Sequence, residues 1–280
     1  MITFFTIPKP FEKHISVIQN NAISSWKNLN PNNEIIIYGK EKGISEFSNL
    51  NNILNVKDVK YNEFGTPMLD NIFEDVKKRS KNNIIIYCNS DIIFLKDFNK
   101  ILEIIYPDLL NKDYLICGRR TDLDIDTLID FKNENWKNDL KEKVLKNGTL
   151  HGYSGIDYFI FNKDQKFKLL PFAVGRICWD NWFIYDAIKR DVITVDATEQ
   201  VIAVHQNHEK AYSILDEEST QNVNLLEGYD KVANIYNANY ILIKSSLQRV
   251  GLIRRLISFI KITYPFNQLF AFRRKFNLSK

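Results

Sequence analysis

The sequence is poor in residue types that define whole classes of protein. Only three of its 280 residues are cysteines, and Cys88, Cys117 and Cys178 form neither a CxxC pair nor a Cys/His cluster. This excludes a disulfide scaffold and a zinc motif. No apolar run approaches the ~18 residues that a membrane-spanning helix needs, and residues 1–11 lack the basic start of a signal peptide. These absences predict a globular protein with reduced thiols in the cytoplasm.

Acidic residues are missing from the C-terminal end of the chain. No acid follows Asp230, whereas Lys244–Lys280 contains nine basic residues, and residues 1–243 carry a net charge of −5. The same segment has apolar residues at helical spacing, namely Leu247, Val250, Ile253, Leu256, Ile257 and Ile260, together with Phe259, Phe266, Phe270 and Phe272. We therefore expect residues 244–280 to form a basic amphipathic tail that binds an anionic membrane surface. Docking of this tail on its own domain is the alternative, and no motif indicates nucleic-acid binding.

Short apolar strands alternate with amphipathic helices in the first 120 residues. Strands are predicted over Ile2–Ile7, Glu34–Tyr38, Val56–Tyr61 and Ile84–Cys88, and helices over Phe11–Leu29 and Pro67–Arg79, with Thr66 as the cap of the second helix. Further strands are predicted over Tyr158–Phe161, Val192–Val195 and Val201–Val204, and a helix over Trp182–Lys189. This rhythm predicts an α/β domain over residues 1–243, with a mostly parallel sheet flanked by helices. The polar segment Thr121–Asn147 is predicted to be an insertion or a lid.

The strongest local motif follows the predicted strand Ile84–Cys88. The chain runs from this apolar strand directly into Asn89, Ser90 and Asp91. Ligands of such sheets bind at the carboxyl ends of the strands, so the Asp91 carboxylate is expected in the ligand crevice. A hard divalent cation that carries a diphosphate takes oxygen ligands of this kind.

This motif resembles the Asp-x-Asp motif of the GT-A glycosyltransferases, with Asn89 in place of the first acid. Over about residues 1–212 the resemblance continues, in the order usual for that family, through Gly152–Phe161, Trp179–Trp182 and Val201–His205. It implies a Rossmann-like GT-A fold and transfer of a sugar from a nucleotide-diphosphate sugar to a hydroxyl of a glycan or lipid-linked acceptor. It also implies Mn2+ or Mg2+ as cofactor.

The resemblance also implies roles for individual residues. Asp91 and His205 are expected to hold the metal. Asp180 is expected to deprotonate the acceptor hydroxyl, which favours inversion and leaves retention open. Asp157 is the second candidate acid. The expected donor-binding residues are Thr6, Pro8, Gly65, Thr66, Asn71, Asn89, Ser90 and Asp91. The expected acceptor-binding residues are Trp179, Trp182 and His151. Arg119 and Arg120 are candidates for contact with the diphosphate.

Two other functions remain open from the sequence. A sugar nucleotidyltransferase has a similar sheet, but it needs a glycine-rich phosphate loop after the first strand, and Thr6–Phe11 contains no glycine. A non-catalytic domain that only binds a sugar or a nucleotide is the second, and it differs from an enzyme by the absence of turnover. Each of these residues also has a plainer interpretation: Asp180 is a helix cap, the tryptophans are core residues and His205 is a structural histidine.

Overall fold

The computed structural model describes residues 1–109, 111–209, 216–226 and 231–263. The strands are β1 (Thr3–Thr6), β2 (Glu34–Tyr38), β3 (Leu54–Val56), β4 (Ile84–Cys88), β5 (Ile92–Phe94), β6 (Tyr114–Cys117), β7 (Arg120–Leu123), β8 (Thr149–Leu150), β9 (Tyr158–Asn162), β10 (Ile193–Asp196), β11 (Ala203–Gln206), β12 (Tyr240–Ile243) and β13 (Ser246–Arg249). The helices are α1 (Lys13–Leu29), α2 (Ile44–Asn51), α3 (Leu69–Arg79), α4 (Lys100–Ile104), α5 (Trp136–Asn147), α6 (Trp179–Lys189), α7 (Glu217–Asn224) and α8 (Leu252–Thr263). A short 3-10 helix spans Ile235–Asn237.

The strands form a large and a small sheet. The large sheet has the order β13-β12-β10-β6-β9-β4-β1-β2-β3, and the small one has the order β5-β11-β7-β8. In the large sheet, β1 to β4 run parallel on one side and β6, β10 and β12 run parallel on the other, with β9 antiparallel between β4 and β6. The expected α/β class with a mostly parallel sheet flanked by helices is therefore confirmed.

Alternate residues of the central strands supply two separate cores, because successive side chains of a strand point to opposite faces. Phe5 and Tyr87 belong to the core beneath α3 and α6. Phe4 and Ile86 belong to the core beneath α1, where Phe4 stacks on Trp26 with ring centroids 5.3 Å apart. The sheet is buried on both faces, which explains why its central strands are continuous apolar runs.

The segment Thr121–Asn147, predicted to be an insertion or a lid, is an integral part of the small sheet. It supplies most of β7 and all of α5. Trp136 and Leu140 of α5 pack against Val204 and Leu123 of the sheet, which gives this part of the chain its own core. The helix therefore covers one face of the small sheet.

Several predicted boundaries differ from the structure, most of them by one or two residues. The strand expected at Val56–Tyr61 lies at Leu54–Val56, and α6 begins three residues earlier than expected, at Trp179. The cap predicted at Thr66 is wrong, because α3 begins at Leu69 after Met68. Residues 67 and 68 are held extended by backbone bridges to residues 61 and 173, so the proline cannot begin the helix.

The predicted tail 244–280 starts inside the large sheet. Its first residues form β13, which pairs antiparallel with β12, so the helical spacing predicted from Leu247 is wrong for residues 247–250. The helix α8 begins at Leu252. Residues 264–280, which include Phe266, Phe270 and Phe272, lie outside the described residues. Among the described residues, every helix is too short or too polar to cross a bilayer.

Candidate active site

The turn that carries Asp91 is held in place from two sides. The backbone N–H and the Nε2 of Gln206 both donate to the Asp91 carbonyl oxygen at 3.1 Å. The indole Nε1 of Trp26 donates to the Ile92 carbonyl at 2.9 Å. The turn after β4 is thus fixed between α1 and β11, which sets the position of the Asp91 carboxylate.

Asp91 forms a cluster with two histidines at the end of β11. The Nε2 of His208 lies 3.1 Å from the Asp91 Oδ2 and the Nε2 of His205 lies 3.8 Å from the same atom. One ligand atom of each residue falls within 4.8 Å of the others. Asp91 and His205, the two expected metal ligands, lie together in this cluster, and His208, which the motif did not include, lies beside them. The His-x-x-His spacing just after an apolar strand was the available signal.

The cluster has the donor atoms of a divalent-cation site. The Asp91 Oδ1 is buried and, within the described part of the chain, has no hydrogen-bond partner, which is costly unless a ligand satisfies it. Imidazole nitrogen together with carboxylate oxygen suits a transition metal such as Mn2+ better than Mg2+, which prefers oxygen ligands. The residues therefore fit the cation that the sequence resemblance implies.

Electrostatics keep Asp91 in the ionised form that a cation needs. Burial opposes ionisation, but the hydrogen bond from His208 and the charges of His205 and Lys9 lower the pKa of Asp91 below its usual value. The same hydrogen bond raises the pKa of His208. Burial lowers the pKa of Lys9, while Asp91 opposes that shift. Lys9 was not among the predicted site residues, although it lies in the loop after β1 where ligand contacts were expected.

A chain of polar contacts runs from Asn89 to His205. The Asn89 Nδ2 donates to Asp157 Oδ1 at 2.8 Å, and Arg120 Nη1 donates to Asp157 Oδ2 at 2.7 Å. Arg120 Nε lies 2.8 Å from Asp122 Oδ1, which in turn lies 3.0 Å from His205 Nδ1. Arg120 therefore pairs with two carboxylates of the protein. The Asn89 side chain donates to Asp157 and accepts from the Tyr87 hydroxyl.

Asp180 occupies the second position of α6, where burial changes its acidity. Its carboxylate accepts hydrogen bonds from the backbone N–H groups of residues 180 and 181. Burial, which is the largest effect, and the nearby Asp157 raise the pKa of Asp180 to about 7, against the opposing effects of these hydrogen bonds and of Arg120. A carboxylate with a pKa near the working pH is well suited to proton transfer.

The two tryptophans beside Asp180 lie in the core and not on a binding surface. Trp179 is 5% exposed and Trp182 is 7% exposed. The Trp179 ring packs edge-on against Tyr87 and Phe159, at centroid distances of 5.0 and 5.4 Å. Trp182 packs against Phe172. Their covered rings position α6, and the acceptor platform expected from the sequence is not formed by them.

The predicted donor residues near β1 and β4 are brought together by a glutamine that the sequence did not single out. Gln19 bonds the backbone N–H and carbonyl of Lys9, at 2.7 and 2.9 Å, and accepts a hydrogen bond from the Ser90 hydroxyl at 2.9 Å. Pro8 is buried, and Thr6 is fully buried with an Oγ1 that has no partner among the described residues. The loop after β1 therefore lies against the Asn89–Asp91 turn.

The remaining predicted site residues lie in other surroundings. Gly65 and Thr66 belong to an exposed turn that lies against α7, where Glu218 bonds the Thr66 hydroxyl. Asn71 is exposed on α3 and accepts the Lys60 backbone N–H at 3.4 Å. His151 is partly buried, and its carbonyl accepts a hydrogen bond from Arg119 Nε at 2.6 Å.

Comparison with known proteins gave structural matches and no sequence matches. No family model and no curated protein matches the chain. S. aureus TarS 1-349 in complex with UDP-GlcNAc is 11% identical, with a TM-score of 0.49 over 81% of this chain and 65% of that chain, so the match spans just under two thirds of TarS 1-349. Glucosyl-3-phosphoglycerate synthase from Mycobacterium tuberculosis, with Mg2+ and UDP, is 11% identical, with a TM-score of 0.47 over 81% of this chain and 78% of that chain. Likeness at this level assigns no activity or ligand to this chain.

Proposed function

We propose that the protein is a divalent-metal-dependent glycosyltransferase that uses a nucleotide-diphosphate sugar and an acceptor hydroxyl. One observation carries the proposal: the Asp91–His205–His208 cluster lies just beyond the carboxyl end of β4, and the charges of Asp91, Asp157 and Asp180 all act on Tyr87 of that strand and raise its pKa after burial, the largest cause. A cation site for a leaving diphosphate and a carboxylate of near-neutral pKa are the two groups that inverting sugar transfer requires.

The reaction assigned to these residues exchanges one bond for another. The acceptor oxygen forms a bond to the anomeric carbon while the bond from that carbon to the diphosphate oxygen breaks. Asp180 accepts the hydroxyl proton during the attack, and the diphosphate leaves with the bonding electron pair. Asp91, His205 and His208 would hold the cation, which stabilises the charge of the leaving diphosphate. Attack opposite the leaving group inverts the anomeric centre.

Lys9 adds positive charge beside the same edge. It is partly buried in the loop after β1 and lies close enough to Asp91 for their charges to interact. An ammonium group in this position suits the second negative charge of a nucleoside diphosphate. The loop is held by Gln19, so the charge is positioned before the donor binds.

The proposal is tested by turnover. The release of nucleoside diphosphate from UDP-glucose, UDP-GlcNAc and GDP-mannose is measured with Mn2+ for the wild type, for Asp180→Asn and for the control Asp191→Asn, an exposed acid just after α6. We expect turnover of at least one donor, a 10²–10⁴-fold loss in Asp180→Asn and no loss in the control. Binding without any turnover would favour the non-catalytic sugar-binding function.

We also propose that α8 docks the enzyme on an anionic membrane face. Leu252, Ile253, Leu256 and Ile257 are between 39% and 76% exposed, and their spacing places them on one side of the helix. The other side is fixed to the protein, since Arg254 Nη2 donates to Asp196 Oδ2 at 3.1 Å and Ser258 bonds Asn237. A helix held by its polar side leaves its apolar side for a partner, and the basic segment favours an anionic lipid surface.

The docking proposal also concerns the acceptor. Arg254 stacks on the Tyr236 ring, which packs edge-on against Tyr153 in the loop before Asp157. A membrane bound at α8 would therefore lie near the loop that precedes a candidate catalytic acid. This arrangement suits a lipid-linked or membrane-proximal glycan acceptor.

Co-sedimentation with vesicles tests the docking surface. The double variant Ile253→Ser/Leu256→Ser is compared with the wild type and with Leu145→Ser, which is 76% exposed on α5. Burying a large aliphatic side chain is worth about 1.5–3 kcal/mol, so we expect the double variant to bind anionic vesicles at least tenfold more weakly. Leu145→Ser should bind like the wild type. Binding that is the same for neutral and anionic vesicles, or for wild type and double variant, would contradict the proposal.

A further inference from the structure

We propose that Arg119 binds a negatively charged group of the acceptor, a phosphate or a carboxylate, and thereby makes the enzyme selective for acidic sugars. The inference rests on the proposed function in taking one substrate to be an acceptor hydroxyl, and it adds the chemical class of that acceptor. Phosphate and carboxylate share the pair of oxygens that a guanidinium binds through two parallel hydrogen bonds.

The backbone of Arg119 is fixed at the ligand edge of the large sheet, just after β6. Its N–H donates to the Thr198 hydroxyl oxygen at 3.0 Å, and it forms a β-bridge with Ile156. Since β4 and β6 both run antiparallel to β9, Arg119 and Asp91 lie at the same edge of the sheet. This is the edge at which sheets of this kind bind their ligands.

The Arg119 guanidinium is held by the loop that precedes Asp157. Its Nε donates to the His151 carbonyl oxygen at 2.6 Å, and its Cζ lies 4.7 Å from the centre of the Tyr153 ring. Tyr153 in turn packs edge-on against Tyr236, with ring centroids 5.3 Å apart. An arginine that stacks on an aromatic ring keeps the N–H groups along its edge available for a ligand. These contacts limit the rotation of the side chain before any ligand binds.

The charge of Arg119 has no counter-ion in the described part of the chain. Its neighbour Arg120 pairs with Asp122 and Asp157. Among the described residues, by contrast, no carboxylate lies within ion-pair distance of Arg119, and its Nη1 and Nη2 atoms have no hydrogen-bond partner. Arg119 is partly exposed and Tyr153 is 45% exposed, so a ligand can reach both. A stacked guanidinium with two unpaired nitrogens is a preorganised site for an oxyanion.

The order of the strands places Arg119 on the side of the site away from the cation. β9 lies between β4 and β6, so two strand spacings, or about 10 Å, separate the end of β6 from the end of β4. Asp157 lies between these ends, directly before β9, and its charge acts on Asp180. An acceptor whose hydroxyl reaches Asp180 therefore has the cation on one side and Arg119 on the other. For this reason we assign Arg119 to the acceptor and not to the donor diphosphate.

The first experiment observes the Arg119 side chain in the wild-type protein. The Nε–Hε signals of 15N-labelled protein are followed while glucose, glucose 6-phosphate or glucuronic acid is added without metal or nucleotide, and Arg119→Lys assigns the signal. We expect a saturable shift with glucose 6-phosphate or with glucuronic acid, and the sugar that causes it identifies the anion. Glucose should cause no shift, and the signal of Arg249, exposed on β13, should not move. No shift with either acidic sugar, or equal shifts for Arg119 and Arg249, would overturn the proposal.

The second experiment separates the acceptor from the donor. Affinity for the acidic sugar is measured by ligand-observed NMR, and affinity for UDP with Mn2+ by calorimetry, in Arg119→Gln and in the control Arg249→Gln. We expect Arg119→Gln to bind the sugar about 10–100-fold more weakly, because hydrogen bonds to a charged group are lost. Its affinity for UDP should stay within threefold of wild type. The control should bind both ligands like the wild type.

The outcomes separate this inference from the proposed function. Sugar affinity of Arg119→Gln within threefold of wild type would overturn the role of Arg119. A tenfold or larger loss of UDP affinity would assign Arg119 to the donor diphosphate and overturn its assignment to the acceptor. The sugar titrations contain neither metal nor nucleotide, so they support or overturn the anion site even if the wild type turns over no donor. Conversely, sugar transfer to neutral acceptors alone would support the glycosyltransferase and contradict the selectivity.

Discussion

Replacing Asn89 by aspartate tests whether this position is a lost metal ligand or a structural contact. The change restores the first acid of the Asp-x-Asp motif, so a simple motif argument predicts tighter metal binding. The structure predicts the opposite. Asn89 donates to Asp157 at 2.8 Å and accepts a hydrogen bond from the Tyr87 hydroxyl at 2.9 Å, so an aspartate there would meet a second carboxylate.

The size of the effect follows from these contacts. Loss of a hydrogen bond to a charged acceptor costs about 1.5–3 kcal/mol. Two carboxylates near 4 Å apart repel by about 4 kcal/mol close to a protein surface, although Arg120 offsets part of this and the pair can share a proton. We expect Asn89→Asp to lower the free energy of unfolding by about 2–4 kcal/mol at pH 8. The loss should be smaller at pH 5, because proton uptake by the pair relieves the repulsion.

Urea unfolding at the two pH values and calorimetric titration with Mn2+ measure both consequences. Asn111→Asp, an exposed asparagine, is the matched control and should change neither quantity. We expect the Mn2+ affinity of Asn89→Asp to stay within threefold of wild type. A variant as stable as wild type that binds Mn2+ more than tenfold tighter would refute the reasoning and make position 89 a metal ligand.

The remaining predictions concern Asp180. The pH profile of kcat/KM should rise through about pH 7, because Asp180 must be ionised to act as a base and its pKa is raised to about 7; a profile flat between pH 5.5 and 8.5 would contradict this. The raised pKa of Asp180 makes its ionised form unfavourable in the folded protein, so wild-type stability should fall as pH increases from about 4 to 7. Thermal melts of Asp180→Asn at pH 5 and 8 should not show this fall. Asp180→Asn should also retain UDP affinity within threefold, as calorimetry would show, and a larger loss would assign Asp180 to donor binding.

Local patterns were sufficient for the elements that place the site. The apolar run Ile84–Cys88 predicts β4 with the boundaries found in the structure, because a strand buried on both faces has no polar interruption. The cap at Thr66 was wrong because residues 67 and 68 pair with distant backbone, which local propensity does not describe. The helical spacing from Leu247 failed for the same reason, since residues 246–249 pair with β12.

The site was predictable only where a single strand positions the residue. Asp91 follows an apolar strand and was singled out from that pattern, His205 was expected from the family resemblance, and the structure places the two together. The approach of Asp122 to His205 depends on the register of β7 against β11, which brings together residues 83 positions apart. The burial of Trp179 and Trp182 depends on packing of α6 against the sheet, so the sequence could not separate core from binding surface.

Calorimetric titration of nucleoside diphosphates into wild type and Asp91→Asn, with Mn2+ and with EDTA, tests the central claim most directly. The account predicts that UDP, GDP or dTDP binds the wild type only with Mn2+, because the diphosphate is held through the cation at Asp91, His205 and His208. It predicts that Asp91→Asn stays folded and loses this metal-dependent binding. Equal affinity with and without Mn2+, unchanged binding in Asp91→Asn, or no binding of any of the three nucleotides would contradict the account.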